Sequence, residues 1–279
     1  MRKVIFALAL TAFIAGGASA FTADFSQKAG TPNYSDGTFP ILGTIPNDQN
    51  DYCVGVGYDG TNFWVSAGDQ ATGQCEFYIW DEYGNLLDNV PQGGGASSWG
   101  HRDMCWNGSY MFGSFSTMVD GFGPDYMFAG YFIGALNPNR AMAYNGTYFY
   151  TAGFGEQLTQ MEWDGVWGSA ASNTYLGAWD GAYGLAYCGI DDVLYMSTAD
   201  YSGNIHMIDP GTGFLLDTFT SLPEYDIAGG CTMACTAQFG DILVILMQSA
   251  PDTLVFYDLG HGPSATDAGS WGAIKAMYR

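Results

Sequence analysis

One short pattern occurs five times along this chain and strongly limits the folds that it can adopt. Each copy has small or apolar residues, usually an aromatic residue, a tight turn containing glycine, and a second strand that is mostly aromatic or apolar. The clearest copies are GVGYDGTNFWVSAG (55–68) and AMAYNGTYFYTAG (141–153). Asp-Gly and Asn-Gly are strong hairpin signals, because the turns that suit paired strands need positive φ angles. The pattern therefore predicts a repeated β-hairpin.

The spacing of the copies predicts how the hairpins assemble. The other copies are RDMCWNGSYMFGSF (102–115), GLAYCGIDDVLYMSTA (184–199) and GCTMACTAQFGDILVILMQ (230–248), the last of which has no aromatic residue before its turn. The equivalent positions are Tyr58, Trp106, Tyr144, Tyr187 and Cys235, at intervals of 48, 38, 43 and 48 residues. A third strand such as FYIWDEYG (77–84) and a short fourth strand such as NLLDNV (85–90) follow. Four antiparallel strands in each interval are typical of a β-propeller blade.

We therefore expect an all-β chain that forms a β-propeller of five blades, each with four antiparallel strands. Six blades are the alternative, if residues 21–37 and the tail SWGAIKAMYR form more sheet. The last blade lacks an obvious fourth strand after Asp258, whereas TFPILGTIP (38–46) has the character of one. An N-terminal strand that closes the ring would remove its open edge. Small residues should lie at the axis and the repeated aromatic residues between blades.

The first twenty residues have the features of a secretory signal peptide. MRKVIFALALTAFIAGGASA has a basic start, an apolar run at 4–14 and an end of small residues. The run is shorter than the ~20 residues that a membrane span needs. We expect a signal peptide over 1–20, an N-terminal extension over 21–37 and one propeller domain over 38–279. The mature protein should be secreted and located outside the cell or on its surface, with the periplasm as the alternative.

The charge of the chain excludes two classes of partner. Without the first twenty residues, five basic residues stand against 28 acidic ones, a formal charge of −23. Such a polyanion repels nucleic acids and anionic lipid surfaces. We expect no cofactor other than Ca²⁺, for which the acid-bearing loops are DGFGPD (120–125) and GIDDV (189–193). Neither loop has the ligand spacing of an EF-hand.

Six cysteines in an exported chain are candidates for disulfides, with 15 complete pairings. We predict a Cys53–Cys75 disulfide, because these residues begin the inner and the third strand on the same face of the first blade. Cys231, at nearly the register of Cys53 in the last blade, is the alternative partner of Cys53. Cys105 aligns with small residues of the other copies and should be a buried thiol.

Two arginines form the sharpest local signal for a binding site. Arg102 and Arg140 each lie four residues before the repeated aromatic position, so both should lie at one mouth of the axial channel, with His101 and Asp103 beside them. Arginine forks bind carboxylates and other anions. These four residues form a candidate ligand site. The favoured interpretation, however, is that the arginines pair with acids such as Asp103 and close the mouth.

Several segments resemble a known group of proteins. GYDGTNFWVSAG, NRAMAYNGTYFYTAG, YGLAYCGIDDVLYMSTADYSGNIHMIDPGTG and SWGAIKAMYR are similar to secreted bacterial β-propeller proteins of the NHL and YVTN type. The resemblance covers residues 38–279 and implies a propeller fold and export. Members often carry a C-terminal sorting domain of the type IX secretion system, which this sequence does not show.

No catalytic constellation is predicted, since the three histidines lie in different repeats and no GxSxG motif occurs. We therefore expect a non-catalytic extracellular protein with a binding or structural role. It would associate with itself as a surface, matrix or filament component, or bind an extracellular glycan or protein. A surface rich in Tyr and poor in Lys loses little side-chain entropy on contact. The alternative is a secreted hydrolase or lyase with its site at the mouth of the channel.

Overall fold

The structure is a computed structural model that describes residues 39–261, except 51, 69–73, 94–97, 156, 199–203 and 221–226. The predicted signal peptide (1–20) and N-terminal extension (21–37) lie outside the described residues. The described part of the chain contains twenty strands and no helix, so it contains no helix that is long and apolar enough to cross a membrane.

The strands form five four-stranded antiparallel sheets arranged in a ring, which confirms the predicted five-bladed propeller. The first strand, β1 (Ile41–Asn47), belongs to the fifth blade. Blades 1 to 4 are each formed by four consecutive strands. Blade 1 contains β2 (Cys53–Tyr58), β3 (Asn62–Ala67), β4 (Glu76–Asp81) and β5 (Leu86–Pro91), and blade 2 contains β6 (Met104–Trp106), β7 (Met111–Ser114), β8 (Met118–Phe122) and β9 (Phe128–Ile133). Blade 3 contains β10 (Ala141–Tyr144), β11 (Phe149–Ala152), β12 (Leu158–Glu162) and β13 (Ser172–Gly177), and blade 4 contains β14 (Ala182–Cys188), β15 (Val193–Thr198), β16 (Asn204–Ile208) and β17 (Leu215–Thr220). Blade 5 contains β18 (Ile227–Thr236), β19 (Gly240–Gln248) and β20 (Asp252–His261).

The ring closes as the sequence predicts. Strand β1 pairs antiparallel with β20, with Thr44 opposite Val255 and Ile45 opposite Leu254. The fifth blade therefore combines the first described strand with the last three, and β1 forms its outermost strand. This pairing satisfies the backbone groups of β20 that would otherwise form an open sheet edge.

The turn residues of the hairpins act as the sequence indicates. Gly60, Gly108 and Gly146 follow the Asp or Asn of the turn and have φ angles of 91°, 95° and 95°. Asp59 Oδ1 accepts the backbone N–H groups of the two residues that enter the second strand, and Asn107 and Asn145 do the same in their blades. The side-chain oxygen thus replaces a backbone acceptor in the turn.

The hydrophobic core formed by the described residues consists of five clusters, and each lies between two neighbouring blades. Between blades 2 and 3, for example, the rings of Phe112 and Phe149 are 5.0 Å apart at their centroids and both are buried. Burial of each such side chain stabilises the fold by about 1.5–3 kcal/mol. The predicted packing between blades is confirmed, and it accounts for the aromatic content of the repeats.

Small residues lie where the inner strands meet at the axis. A Cβ atom on Gly55 would lie 1.8 Å from the backbone oxygen of Arg102, and one on Gly184 would lie 2.4 Å from the backbone nitrogen of Cys231. The close approach of these backbones therefore requires glycine at both positions.

The expected Cys53–Cys75 disulfide is absent, and no pair of cysteines is bonded in the described structure. Cys53 Sγ instead accepts a hydrogen bond from Asn47 Nδ2 at 2.9 Å. The alternative partner, Cys231, lies between blades 4 and 5, where its Sγ is 3.8 Å from the Tyr195 carbonyl oxygen. Ring geometry therefore directs these thiols to different blade interfaces. Cys105 is buried, as the alignment of the repeats predicts.

Candidate functional site

One buried carboxylate occupies the axis of the propeller. Asp103 precedes β6 of blade 2, and its Oδ2 accepts the backbone N–H groups of Met142 at 3.0 Å and Leu185 at 2.8 Å. Its Oδ1 accepts the N–H of Cys231 at 3.1 Å. These donors belong to the inner strands of blades 3, 4 and 5, so one side chain links four of the five blades. Burial raises the pKa of the Asp103 carboxyl well above its ordinary value, and the N–H donors oppose that rise.

The two predicted arginines are not neutralised by Asp103, because its oxygens are engaged with the backbone. Among the described residues, the only ion pairs are His101–Asp120 and His261–Asp191, and neither includes Arg102 or Arg140. A chain with 28 acidic residues thus places two cations at the axis with no described carboxylate partner. The favoured interpretation, in which Asp103 pairs with these arginines, does not match this geometry.

Aromatic side chains surround the two guanidinium groups. The guanidinium carbon of Arg140 lies 3.4 Å from the centre of the Phe154 ring and 5.4 Å from that of Tyr183. The guanidinium carbon of Arg102 lies 5.2 Å from the centre of the Trp99 ring. We call this group of five residues the arginine mouth: Trp99, Arg102, Arg140, Phe154 and Tyr183. Arginine over an aromatic face is an attractive cation–π arrangement.

Arg140 has hydrogen-bonding capacity that the described protein does not use. The residue is only 8% exposed, and its Nε is buried without a hydrogen-bond partner in the described structure. Burial, and to a smaller extent the charge of Arg102, lower the pKa of Arg140 to about 10. Burial also lowers the pKa of Arg102. Both groups remain cationic at neutral pH, so the arginine mouth presents two positive charges.

His101 has a different position from the one expected of a ligand-binding residue. It is fully buried, with Nδ1 2.8 Å from Gln92 Oε1 and Nε2 2.9 Å from Asp120 Oδ2. The Gln92 amide nitrogen donates to the Glu76 carbonyl oxygen, which orients Oε1 towards His101. Both imidazole nitrogens are therefore engaged. Of the four predicted residues, the structure brings Arg102 and Arg140 together at the mouth and buries His101 and Asp103 behind them.

The aromatic members of the arginine mouth were not predicted from the sequence. Tyr183 lies four residues before Tyr187, at the repeat position that Arg102 and Arg140 occupy in their own blades. Alignment of the repeats could therefore have identified Tyr183 as a residue of this site. Phe154 packs edge-on against Tyr183, with centroids 5.1 Å apart, and is 44% exposed. Phe154 and Trp99 lie in loops outside the repeat, where no periodic signal indicates them.

A cavity of about 280 Å³ adjoins the arginine mouth. Phe154 belongs to both, since it lines the cavity on one side and covers Arg140 on the other. The remaining lining residues are Leu136, Asn137, Pro138, Gly153, Gly155 and Gln157. The arrangement thus combines a cationic group for an anion with an adjacent uncharged space for the rest of a ligand.

A second cavity, of about 290 Å³, lies on the axis at the end where the hairpins turn. All five repeated positions line it: Tyr58, Trp106, Tyr144, Tyr187 and Cys235. Met104 and Cys105, which follow Asp103 in the chain, line it as well, so the buried Asp103 separates it from the arginine mouth. The repeated aromatic residues therefore pack between blades and also form the wall of this cavity.

The two acid-bearing loops considered for Ca²⁺ do not gather several carboxylates in the described structure. Asp120 of the first loop is buried against His101, and Asp125 Oδ1 accepts the backbone N–H of Met127 in a turn. In the second loop, Asp192 accepts the Tyr187 hydroxyl, whereas Asp191 faces Cys188 and His261. A Ca²⁺ requirement stays a prediction.

Comparisons with known proteins support the fold and bear on function. No protein-family model matches the chain, and no curated protein matches it. A solved structure that resembles it is the crystal structure of Myxococcus xanthus glutaminyl cyclase, with a TM-score of 0.59 and 14% sequence identity. The match covers 79% of this chain and 98% of that chain. At this identity the likeness supports the propeller fold, and the resemblance to NHL and YVTN propellers stays a prediction.

The expected non-catalytic binding or structural role is contradicted by this comparison. The matched protein is an enzyme, so a propeller of similar architecture carries out catalysis. The absence of catalytic motifs in the sequence was weak evidence, because a ring assembles its site from residues of separate blades. Of the two expectations, the alternative of a secreted hydrolase or lyase agrees better with this comparison, although at 14% identity the likeness shows the fold alone.

Proposed function

We propose that this protein is an enzyme that binds a carboxylate-bearing substrate at the arginine mouth and acts on it as a lyase. The observation that carries the proposal is the pair of cations, Arg102 and Arg140, without a carboxylate partner among the described residues. A buried charge without a partner is costly to maintain, so a function that needs it is the simplest reason for its presence. A substrate carboxylate would supply the missing partner through bidentate hydrogen bonds.

The chemistry follows from what two arginines do to a bound carboxylate. Neutralising the carboxylate makes the hydrogen on the adjacent carbon more acidic, because the charge that develops on removal of this proton spreads onto the carboxylate oxygens. The guanidinium groups then stabilise that charge. The bond to a leaving oxygen on the next carbon breaks, a double bond forms, and the leaving oxygen takes up a proton. This reaction is a β-elimination and needs no water as a reactant.

Tyr183 is our candidate for the group that moves the proton. Its ring lies 5.4 Å from the Arg140 guanidinium carbon and is held edge-on by Phe154. A tyrosine can accept the proton from carbon as a phenolate and return it to the leaving oxygen as a phenol, so atoms and charge balance within one residue. His101 is a poorer candidate, since both of its nitrogens are bound in the interior.

Acidic sugars are the substrate class that fits these walls. Trp99 and Phe154 are 38% and 44% exposed and present flat apolar surfaces on which the C–H faces of a sugar ring can lie. A uronate residue combines such a face with the carboxylate that the arginines need. The acidic remainder of the protein does not prevent binding, because its charges are screened beyond about 8 Å at physiological ionic strength. A glutaminyl group, by contrast, offers the two arginines an uncharged amide.

The test is a turnover assay on matched substrates. The protein would be incubated with uronate-containing oligosaccharides, with neutral oligosaccharides of the same length and with an N-terminal glutaminyl peptide. We expect ultraviolet absorbance from the new double bond with the uronates alone. Arg140→Gln and Tyr183→Phe should abolish it, whereas Tyr175→Phe, which alters a tyrosine that is 60% exposed on β13, should not. Turnover confined to the neutral sugars or the peptide, or no turnover on any uronate, would show that the proposal is wrong.

A further inference from the structure

A cysteine, an aspartate and a histidine meet at the end of the propeller opposite to the arginine mouth. Cys188 ends β14, Asp191 lies in the following hairpin, and His261 ends β20. Cys188 Sγ lies 3.9 Å from His261 Nδ1 and 3.8 Å from Asp191 Oδ2. His261 Nε2 lies 3.1 Å from the same aspartate oxygen. Three different donor types from blades 4 and 5 thus converge on one point.

With one ring nitrogen of His261 as the ligand, the three donor atoms all lie within 4.8 Å of one another, which is near the spacing in a tetrahedral zinc site. Zinc bonds of about 2.0–2.3 Å at tetrahedral angles place neighbouring donor atoms about 3.3–3.7 Å apart. Small rotations of the side chains would therefore bring the three donor atoms to these separations around an ion. Thiolate and imidazole ligands suit zinc, whereas Ca²⁺ takes oxygen ligands almost exclusively. The donor set therefore favours zinc over Ca²⁺.

The surroundings of the cluster also favour a cation. Asp241 lies opposite His261 in the pairing of β19 with β20 and adds a second carboxylate nearby. The side chains of His261 and Asp191 are 17% and 33% exposed, so an ion can reach them from solvent. Cys188 is only 2% exposed and is covered by its own blade interface.

The burial of Cys188 excludes a catalytic role for the same three residues. A cysteine, a histidine and an aspartate can form a nucleophilic triad, but the sulfur must then be accessible to a substrate. At 2% exposure, Cys188 cannot meet a substrate atom without movement of the blades. A metal ligand, by contrast, has only to contact the ion, and a buried sulfur can do this from the protein side of the site.

We propose that the protein binds one Zn²⁺ through Cys188 Sγ, a ring nitrogen of His261 and a carboxylate oxygen of Asp191, with water at the fourth position. The ion would join the hairpin of blade 4 to β20 of blade 5. Because this strand also pairs with β1, zinc would stabilise the part of the ring where the chain closes. The site is separate from the arginine mouth and does not depend on its activity.

The experiment uses the full mature chain after removal of metals by chelation. Calorimetric titration should show one Zn²⁺ per chain, and zinc should raise the melting temperature. Substitution with Co²⁺ should give tetrahedral d–d bands and a thiolate-to-cobalt charge-transfer band. Cys188→Ser should remove the charge-transfer band, and Cys188→Ser, Asp191→Asn and His261→Gln should each weaken zinc binding roughly 100-fold or more.

Matched controls separate ligand loss from general damage. Cys105→Ala removes a buried thiol from another blade interface, and His206→Gln removes a histidine from the third strand of blade 4. Both should leave zinc binding unchanged. If Cys188→Ser does not fold, His261→Gln supplies the test, since that side chain is partly exposed at the end of a strand. The proposal is overturned if the wild type binds no zinc, or if all three ligand variants bind it as tightly as the wild type.

Discussion

The guanidinium of Arg140 lies directly against the ring of Phe154, with its central carbon 3.4 Å from the ring centre. The ring thereby fixes the arginine at the axis while its buried Nε stays without a hydrogen-bond partner in the described structure. An arginine held in this way is ready to receive an anion, because little side-chain freedom remains to be lost on binding.

Replacement of Phe154 by leucine should weaken the use of carboxylate substrates about fivefold, because a cation–π contact contributes about 1 kcal/mol. The measurement is kcat/KM on the best uronate substrate. Phe214→Leu is the matched control, since that ring is 71% exposed in the turn before β17. Equal rates for the two variants would contradict the positioning role of Phe154.

Replacement of Arg140 by methionine should make the fold more stable and the enzyme inactive. The substitution removes a buried charge that has no partner and keeps most of the apolar volume, so we expect a gain of about 1–3 kcal/mol in the free energy of unfolding. Urea denaturation measures the gain in stability, and the uronate assay measures the loss of activity. A loss of stability on this substitution would indicate that Arg140 has a structural partner.

Replacement of Asp103 by asparagine should destabilise the ring by about 3 kcal/mol, the cost expected when buried donors lose a charged acceptor. The asparagine oxygen can still accept from Met142 and Leu185, but the amide nitrogen would then face the Cys231 N–H, donor against donor. Chemical denaturation of the variant is the measurement. Asp217→Asn, at an exposed position of β17, is the control and should have no measurable effect.

The buried His101–Asp120 pair should show strong coupling in a double-mutant cycle. The Nε2 and Oδ2 atoms are 2.9 Å apart, and the side chains are 0% and 2% exposed. His101→Ala or Asp120→Ala alone should cost about 3–5 kcal/mol, because each leaves a buried polar partner unsatisfied. The double variant should cost clearly less than the sum of the two single costs. Simple additivity would show that the two side chains do not act as a pair.

Truncation in the closing strand should destabilise the whole ring. Ile45 of β1 is 2% exposed and packs between blades 5 and 1, so Ile45→Ala should lower the free energy of unfolding by about 2–4 kcal/mol. Leu87→Ala, in the outer strand of blade 1 with a side chain that is 52% exposed, is the control. A single cooperative transition at lower denaturant concentration is expected. An unchanged midpoint for Ile45→Ala would show that β1 contributes little to closure.

The periodic part of the fold could be predicted from the sequence because its causes are local. A turn such as Asp59-Gly60 needs only neighbouring residues to adopt its conformation, and the spacing of five such turns sets the number of blades. The closing strand at 41–47 was predictable too, since an unpaired last blade and an unassigned first strand have one simple solution. The position of both arginines near the axis followed from their shared place in the repeat.

The chemistry of the sites depends on which residues the closed ring brings together. Asp103 meets Cys231, 128 residues away, and Cys188 meets His261, 73 residues away, although no local spacing links either pair. The same fold leaves Cys53 and Cys75 as two buried thiols that are not bonded to each other, and Arg102 and Arg140 without an acidic partner in the described structure. The blade, its turns and the closing strand could be predicted because they depend on short-range hydrogen bonds and a regular pattern of apolar residues. Which charges are paired and which are free depends on distances across an axis where five strands meet, so this is evident in the folded ring alone.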